Sequence, residues 1–124
     1  MKKILIVDDE SYIRLLIEQS LEELEDLGVE ILEADNGLDA LELIQLHHPR
    51  LVFLDVMLPK MSGFTICDKV KHELGMKDVI VIMLTAKGQE VDRQRGEESG
   101  ADMYMTKPFN PDDLLQKARE ALAL

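Results

Sequence analysis

Five short apolar segments, spaced along a chain of 124 residues, constrain the fold more than any other feature. Their sequences are KILIVD, VEILEA, LVFLDV, DVIVIML and DMYMT. They are mainly continuous apolar runs, which is typical of strands covered on both faces of a sheet. Each is short enough for a strand and too short for a helix of ordinary length.

The segments between these strands have the spacing and end signals of helices. The first predicted helix has apolar residues at positions 13, 16, 17, 21, 24 and 27, and Gly28 stops it. Five helices are predicted: 11–27, 36–48 before Pro49, 63–74 after the N-cap Ser62, 88–99, and 112–123 after Pro111. Strands that alternate with helices predict an α/β fold, a doubly wound five-stranded parallel sheet with helices on both faces. The whole chain, 1–124, is predicted to be one domain.

Composition limits the function classes. Apolar residues make up 46% and charged residues 31%, which predicts a folded domain, and the net charge of −11 argues against a nucleic-acid surface on this chain. Cys67 is the single cysteine, so an intrachain disulfide is excluded. No apolar run approaches 18 residues, so no membrane span is predicted, and we expect a cytoplasmic protein.

Polar residues appear where four of the five predicted strands end. They are Asp8 and Asp9 after the first strand, Asp55 after the third, Thr85 after the fourth and Lys107 after the fifth. Because the carboxyl ends of parallel strands share one edge of a sheet, these side chains are expected to converge in a ligand crevice.

Three carboxylates at one edge repel each other unless a cation is present. Lys107 provides one positive charge, and Mg²⁺, which prefers oxygen ligands, would provide two more. Asp55 is the best candidate nucleophile, attacking a phosphoryl group held by Mg²⁺, Lys107 and the Thr85 hydroxyl. The structural alternative is that Asp8 and Asp9 merely cap the following helix, which leaves Asp55 and Lys107 unexplained. The Lys107-Pro108 bond could be cis or trans.

Four motifs together resemble the response-regulator receiver domain of bacterial two-component signalling, over essentially the whole chain. They are IVDDE, FLDVMLPKMSG, MLTAKG and YMTKPF. The resemblance implies a flavodoxin-like strand order of 2-1-3-4-5, as in the chemotaxis regulator. It implies that Asp55 is the phosphoacceptor and that Mg²⁺ is bound by Asp8, Asp9, Asp55 and the Met57 backbone carbonyl. It further implies that Thr85 and Lys107 bind the phosphoryl group, and that Thr85 and Tyr104 form the switch pair.

The resemblance also implies partners. The phosphoryl donor would be a histidine kinase, a phosphotransfer protein or a small acyl phosphate. The signal would pass through the face formed by the fourth helix, the fifth strand and the fifth helix to an output domain or a downstream protein, as in the N-terminal part of a transcriptional regulator. The domain would act only on its own phosphoryl group. The fourth helix has Val91 as its only large apolar residue, so it should be among the least stable elements.

Two further expectations concern variable positions of that family. Met57 and Lys87 lie where side chains tune hydrolysis of the acyl phosphate, and an apolar Met57 predicts a long-lived phosphoryl group. A homodimer of the phosphorylated form would pair Arg93 with Asp113, and Asp102 with Lys117 or Arg119.

Two functions from other classes remain as alternatives. An Mg²⁺-dependent phosphatase of the haloacid-dehalogenase kind would also use an aspartyl nucleophile, but there the nucleophile follows the first strand in a D-x-D arrangement. A flavin-binding domain of the flavodoxin type needs a phosphate-binding loop after the first strand, where this chain has the acidic sequence VDDES.

Overall fold

A computed structural model of the chain, which describes residues 2–86 and 90–124, contains one five-stranded sheet. The strands are β1 Lys3–Val7, β2 Glu30–Ala34, β3 Leu51–Asp55, β4 Ile80–Ala86 and β5 Met103–Lys107. All neighbouring pairs are parallel, and the order is β2-β1-β3-β4-β5. The predicted fold class and strand order are confirmed.

The helices begin and end at local signals in the sequence. They are α1 Ser11–Ser20, α2 Glu22–Asp26, α3 Gly37–His47, α4 Gly63–Asp68, α5 Glu90–Ser99 and α6 Pro111–Leu122, with a π-helical segment, Lys69–Glu73, directly after α4. Asn36, Ser62 and Asn110 occupy N-cap positions, and each side chain accepts a hydrogen bond from a backbone N–H of the first turn. None of the described helices is both long and apolar enough to cross a bilayer.

Two hydrophobic cores lie on opposite faces of the sheet. Ile4 and Ile6 of β1 point to the core formed with α1, α2 and α6, whereas Leu5 and Val7 point to the core formed with α3 and α4. Because successive strand residues face opposite sides, a strand covered on both faces is apolar at every position. This arrangement explains the continuous apolar runs of the sequence.

The first predicted helix is broken. The chain leaves helical geometry at Leu21, where φ is −102° and ψ is 6°, and this residue separates α1 from α2. Just before the break, the Ser20 hydroxyl donates to the Leu16 carbonyl at 2.8 Å, a bond that competes with the regular backbone pattern. Leu16 and Leu27, predicted on the apolar face, are 40% and 62% exposed, whereas Ile17, Leu21 and Leu24 of the same predicted face are fully buried in the core.

The third predicted helix changes its winding. Regular α-helix ends at Asp68, and the π-helical segment continues the chain towards Gly75, whose φ of 63° ends it. The predicted end of the helix at Gly75 is therefore correct. The prediction of a single regular α-helix over 63–74 is wrong, because the second half is π-helical. A π-helical turn depends on tertiary contacts that side-chain spacing does not report.

Gly63 holds the loop after β3 close to α4. Its N–H donates to the Val56 carbonyl at 3.0 Å, and a Cβ atom at this position would lie 2.3 Å from the Asp55 carbonyl oxygen. A side chain there would push the backbone that carries Asp55, so glycine is required by the close approach.

We expect Gly63→Ala to lower the free energy of unfolding by about 2 kcal/mol or more, since the clash is with backbone. Gly75→Ala is the matched control. It also adds one methyl group, but nothing lies within 4 Å of its Cβ, so only the left-handed conformation is penalised, by about 1 kcal/mol. Urea unfolding measures both, and equal losses would contradict the role of the close approach.

Candidate functional site

Side chains from the ends of three strands meet at the carboxyl edge of the sheet. The Lys107 ammonium lies 2.7 Å from Asp8 Oδ2 and 3.2 Å from Asp55 Oδ2. Asp8 is fully buried, and Asp55 is 6% exposed. One partly buried cation is therefore shared by two buried carboxylates, which is the convergence expected from the strand ends.

A cavity of about 310 Å³ opens beside this group. Asp9, Asp55, Met57 and Lys107 line it, together with Glu10, Val56, Leu84 and Ala86. The Met57 side chain is 69% exposed, and the small Ala86 side chain leaves space at the end of β4. The cavity thus gives an incoming group access to the Asp55 carboxylate.

Asp8 also shapes the turn that leads into α1. Its Oδ1 accepts a hydrogen bond from the Glu10 N–H at 2.9 Å, and its carbonyl accepts one from Arg14 at 2.6 Å. The N-cap residue of α1 is Glu10, whose own side chain makes no capping bond. Asp8 therefore contributes to the local turn as well as to the charged cluster. The alternative that Asp8 merely caps the following helix explains at most its contact with the Glu10 N–H and leaves its contact with Lys107 unexplained.

The electrostatics of Asp55 are unusual for an aspartate. Its pKa is raised to about 6, first by burial and then by the nearby Asp8 charge, against the opposing effects of Lys107 and of the Met57 N–H, which donates to Oδ1 at 3.2 Å. Burial lowers the pKa of Lys107, but hydrogen bonds and charge from Asp8 and Asp55 outweigh it and raise the pKa overall. At neutral pH the cluster is short of positive charge.

The donor set fits a hard divalent cation. Carboxylate oxygens of Asp8, Asp9 and Glu10 lie within 4.8 Å of one another, and Asp55 lines the same cavity as Asp9 and Glu10. Oxygen ligands beside a water-accessible cavity suit Mg²⁺, which keeps several waters when it binds. Sequence reasoning missed Glu10, although its place directly after the two aspartates was a usable signal.

Two predicted residues lie beside the cluster rather than in it. Thr85 is the last residue but one of β4 and is buried. Within the described chain, no hydrogen bond joins its hydroxyl to Asp55 or Lys107. Tyr104 lies on β5, three residues before Lys107, partly buried against the core on the α3 and α4 side.

The Lys107-Pro108 peptide bond is cis. Lys87 and the side chains of Val91 and Arg93 lie outside the described part of the structure.

Comparisons with known proteins show which family the chain resembles. The family model described as "Response regulator receiver domain" matches residues 4–119. The "Probable transcriptional regulator ycf27" of Cyanophora paradoxa is 46% identical over 121 residues, which cover 98% of this chain and 48% of that protein. The "DNA-binding dual master transcriptional regulator RpaA" of Synechocystis is 39% identical over 122 residues, covering 98% of this chain and 49% of that protein.

A solved structure shows the same fold. The response regulator DrrB, a Thermotoga maritima OmpR/PhoB homolog, superimposes with a TM-score of 0.84 at 35% identity, covering 99% of this chain and 53% of that one. The chain therefore spans about half the length of the regulators it matches.

We predict a pH-dependent effect of Asp55→Asn on stability in metal-free buffer. Between about pH 4 and 6 the native protein holds a proton on Asp55 that the unfolded chain releases, so the contribution of Asp55 to stability falls as pH rises through this window. Asp55→Asn should thus stabilise the fold by about 2 kcal/mol above pH 7 and by much less near pH 4.

Urea unfolding across this pH range measures the difference, and a carboxyl-carbon NMR titration of Asp55 should give a midpoint near 6. A midpoint at or below about 4, the usual aspartate value, would refute the burial argument.

Proposed function

This chain belongs to the family of response-regulator receiver domains, and we propose that phosphorylation of Asp55 switches it. The observation that carries the proposal is the placement of Asp55. Its carboxylate lies at the base of an open cavity, with one oxygen near the Met57 N–H and the other near Lys107. These two contacts orient both carboxylate oxygens. The raised pKa of Asp55 shows that its charged form lacks stabilisation, which an added cation would provide.

In the proposed reaction, an Asp55 oxygen attacks phosphorus, a bond to phosphorus forms, and the bond from phosphorus to the donor breaks. A phosphohistidine donor leaves as the imidazole, which retains the bonding electron pair, and an acyl phosphate leaves as a carboxylate. Lys107, already between Asp8 and Asp55, balances charge on the transferred group. The Thr85 hydroxyl, at the end of β4, would hold a second phosphoryl oxygen.

Receiver domains of this family bind Mg²⁺ in an acidic pocket. We propose that Asp8, Asp9, Asp55 and the Met57 backbone carbonyl hold it in this chain, with the carboxylate of Glu10 beside them. The ion would neutralise the carboxylates and the phosphoryl oxygens that crowd together during transfer.

The proposed activity is limited to the domain's own phosphorylation and dephosphorylation. The alternative, a phosphatase with an aspartyl nucleophile, is disfavoured because the cavity carboxylate that contacts Lys107 comes from β3, whereas that class uses the residue after the first strand. A flavin site is disfavoured because the turn after β1 holds three acidic residues in a row. Catalytic hydrolysis of a phosphate ester would favour the phosphatase.

Membership of the family implies input from a kinase and an output domain, since the matched relatives are transcriptional regulators about twice as long. We propose a histidine kinase or a phosphotransfer protein as the donor. The α5-β5-α6 face, which contains the predicted fourth and fifth helices, would transmit the signal to an output domain or downstream protein. DNA binding would belong to that output domain rather than to this acidic chain, and the cytoplasm is the proposed location.

Homodimerisation of the phosphorylated form through the same face remains a proposal. The candidate residues already have partners within the chain: Asp102 pairs with Lys71, Asp113 with Lys117, and Arg119 with Glu23. A dimer that used them would have to exchange these intramolecular pairs for intermolecular ones. For the exposed pairs of Asp113 and Arg119 the exchange gives little net stabilisation, and for Asp102 it would leave the buried Lys71 without its carboxylate.

Incubation with acetyl phosphate and Mg²⁺ should add one phosphoryl group per chain, detected by intact-protein mass spectrometry. Asp55→Asn should abolish the addition, because an amide cannot act as the nucleophile. Asp112→Asn, which changes an exposed aspartate on α6, is the matched control and should leave phosphorylation unchanged. Full phosphorylation of the Asp55→Asn variant would disprove the assignment.

The phosphorylated protein should keep its phosphoryl group for minutes or longer, because the exposed Met57 side chain has no strong acceptor to orient an attacking water. Met57→Asn should shorten the lifetime, since its amide can hold a water near phosphorus. Time-resolved mass spectrometry after donor removal measures both rates. Loss from the natural sequence within seconds would contradict this reading of Met57.

A further inference from the structure

A second polar cluster lies at the edge of the sheet opposite the candidate site. The Lys71 ammonium lies 2.7 Å from Asp102 Oδ2 and donates to the Val79 carbonyl at 2.5 Å. The same Asp102 oxygen accepts the Val81 N–H at 2.8 Å, and the Asp102 N–H donates to the Val81 carbonyl at 2.9 Å. The Lys71 side chain is only 8% exposed. This cluster ties the π-helical segment to the first residues of β4 and to the residue before β5.

The cluster also secures the C-terminal end of α5. Gly100, directly after α5, adopts a φ of 94°, and a Cβ placed there would lie 3.1 Å from two carbons of the Lys71 side chain. The preceding residue, Ser99, is buried and hydrogen-bonds the Cys67 thiol of α4. The end of α5 therefore lies directly over Lys71, and its two following residues lead into the Lys71–Asp102 pair.

One more contact joins α5 to α4. The Arg95 guanidinium lies 4.5 Å from the centre of the Phe64 ring, within the range of a cation–π interaction. These contacts of α5 are polar or electrostatic, as expected of a helix with so few large apolar residues. Such contacts depend more steeply on distance and geometry than a broad apolar interface does, so each of them is lost when the helix shifts at that point.

The two ends of α5 are placed differently with respect to the site. The helix follows the carboxyl end of β4, where Thr85 and Ala86 lie, and it leads into the amino end of β5. Because β4 spans seven residues, the two edges of the sheet are about 20 Å apart. The N-terminal end of α5 therefore follows the strand end at the site, whereas its C-terminal end lies at the Lys71 cluster.

We propose that the Lys71–Asp102 pair is the anchor of α5, so that phosphorylation at the site moves the N-terminal part of the helix about a fixed C-terminal end. This inference rests on the proposed function, because it concerns how the same site controls the signalling face. Lys71 and Asp102 are positioning residues here, since neither contacts the cavity. The anchor confines the response to the half of α5 nearest the site.

The test compares Lys71→Met with Lys69→Met. Both variants remove one lysine from the π-helical segment, but Lys69 makes an exposed pair with Glu73, whereas Lys71 makes the buried pair. Backbone hydrogen exchange, read by mass spectrometry, is followed in peptides covering residues 90–95 and 97–102. Each protein is measured alone and with beryllofluoride and Mg²⁺, which mimic the phosphorylated state.

In the natural sequence, beryllofluoride should change exchange in 90–95 by about threefold or more and leave 97–102 within about twofold. In Lys71→Met, the change should extend to 97–102 at about tenfold, while Lys69→Met should behave like the natural sequence. Equal changes in both peptides of the natural sequence would overturn the proposal. So would a Lys71→Met response that still stops before residue 97, or exchange raised uniformly over the whole chain.

The double variant Lys71→Met with Asp102→Asn leaves no unpaired charge, and it replaces Lys71→Met if the single variant does not fold. It should show the same extended response, and a response confined to 90–95 would overturn the anchor. Failure of the proposed function is distinguishable, because acetyl phosphate would then leave Asp55 unmodified. In that case the anchor is tested by the hydrogen-exchange rate of peptide 97–102 measured without beryllofluoride. This rate should be about tenfold higher in Lys71→Met than in Lys69→Met, and equal rates would overturn the anchor.

Discussion

The position of one ammonium group between two buried carboxylates governs the rest of this structure. Asp8 and Asp55 come from different strands, and each would be costly to bury without a partner. Lys107 reaches them from β5, past the end of β4, which lies between β3 and β5 in the sheet. The small Ala86 at that strand end lines the same cavity and leaves room for the contact. The contact of Lys107 with both carboxylates therefore depends on three features together: the strand order, a small residue at the end of β4 and a lysine at the end of β5.

The same group bears on the proposed phosphorylation of Asp55 and on the signal that it would send. Burial and the nearby Asp8 charge raise the pKa of Asp55 to about 6 against the opposing effect of Lys107, so added positive charge stabilises the site. A phosphoryl group on Asp55 adds about −1.5 to −2 charges at a place already short of cations. The resulting forces act on the ends of β4 and β5, which are the strands that lead into and out of α5.

The face built from α5, β5 and α6 combines weak and strong contacts. Arg95 lies over the ring of Phe64, Ser99 is bonded to Cys67, and the buried Lys71 holds Asp102 at the far edge of the sheet. The contacts of the described α5 side chains are directional, whereas α6 packs Leu114, Ala118 and Leu122 into the core. We therefore expect a shift of α5 to cost less free energy than a shift of α6.

The sequence by itself determined the strands, their burial on both faces, the N-cap Ser62, the helix start at Pro111 and the residues at the strand ends. These features depend on local signals and on the shared edge of a parallel sheet. Four motifs were enough to identify the family. Only the tertiary structure decided the break at Leu21, the π-helical segment, the place of Glu10 beside the aspartates and the pairing of Lys71 with Asp102. Lys71 and Asp102 are 31 positions apart, and no spacing rule links them. Contacts of this kind, like the raised pKa of Asp55, arise from burial and from charges that distant parts of the chain bring together.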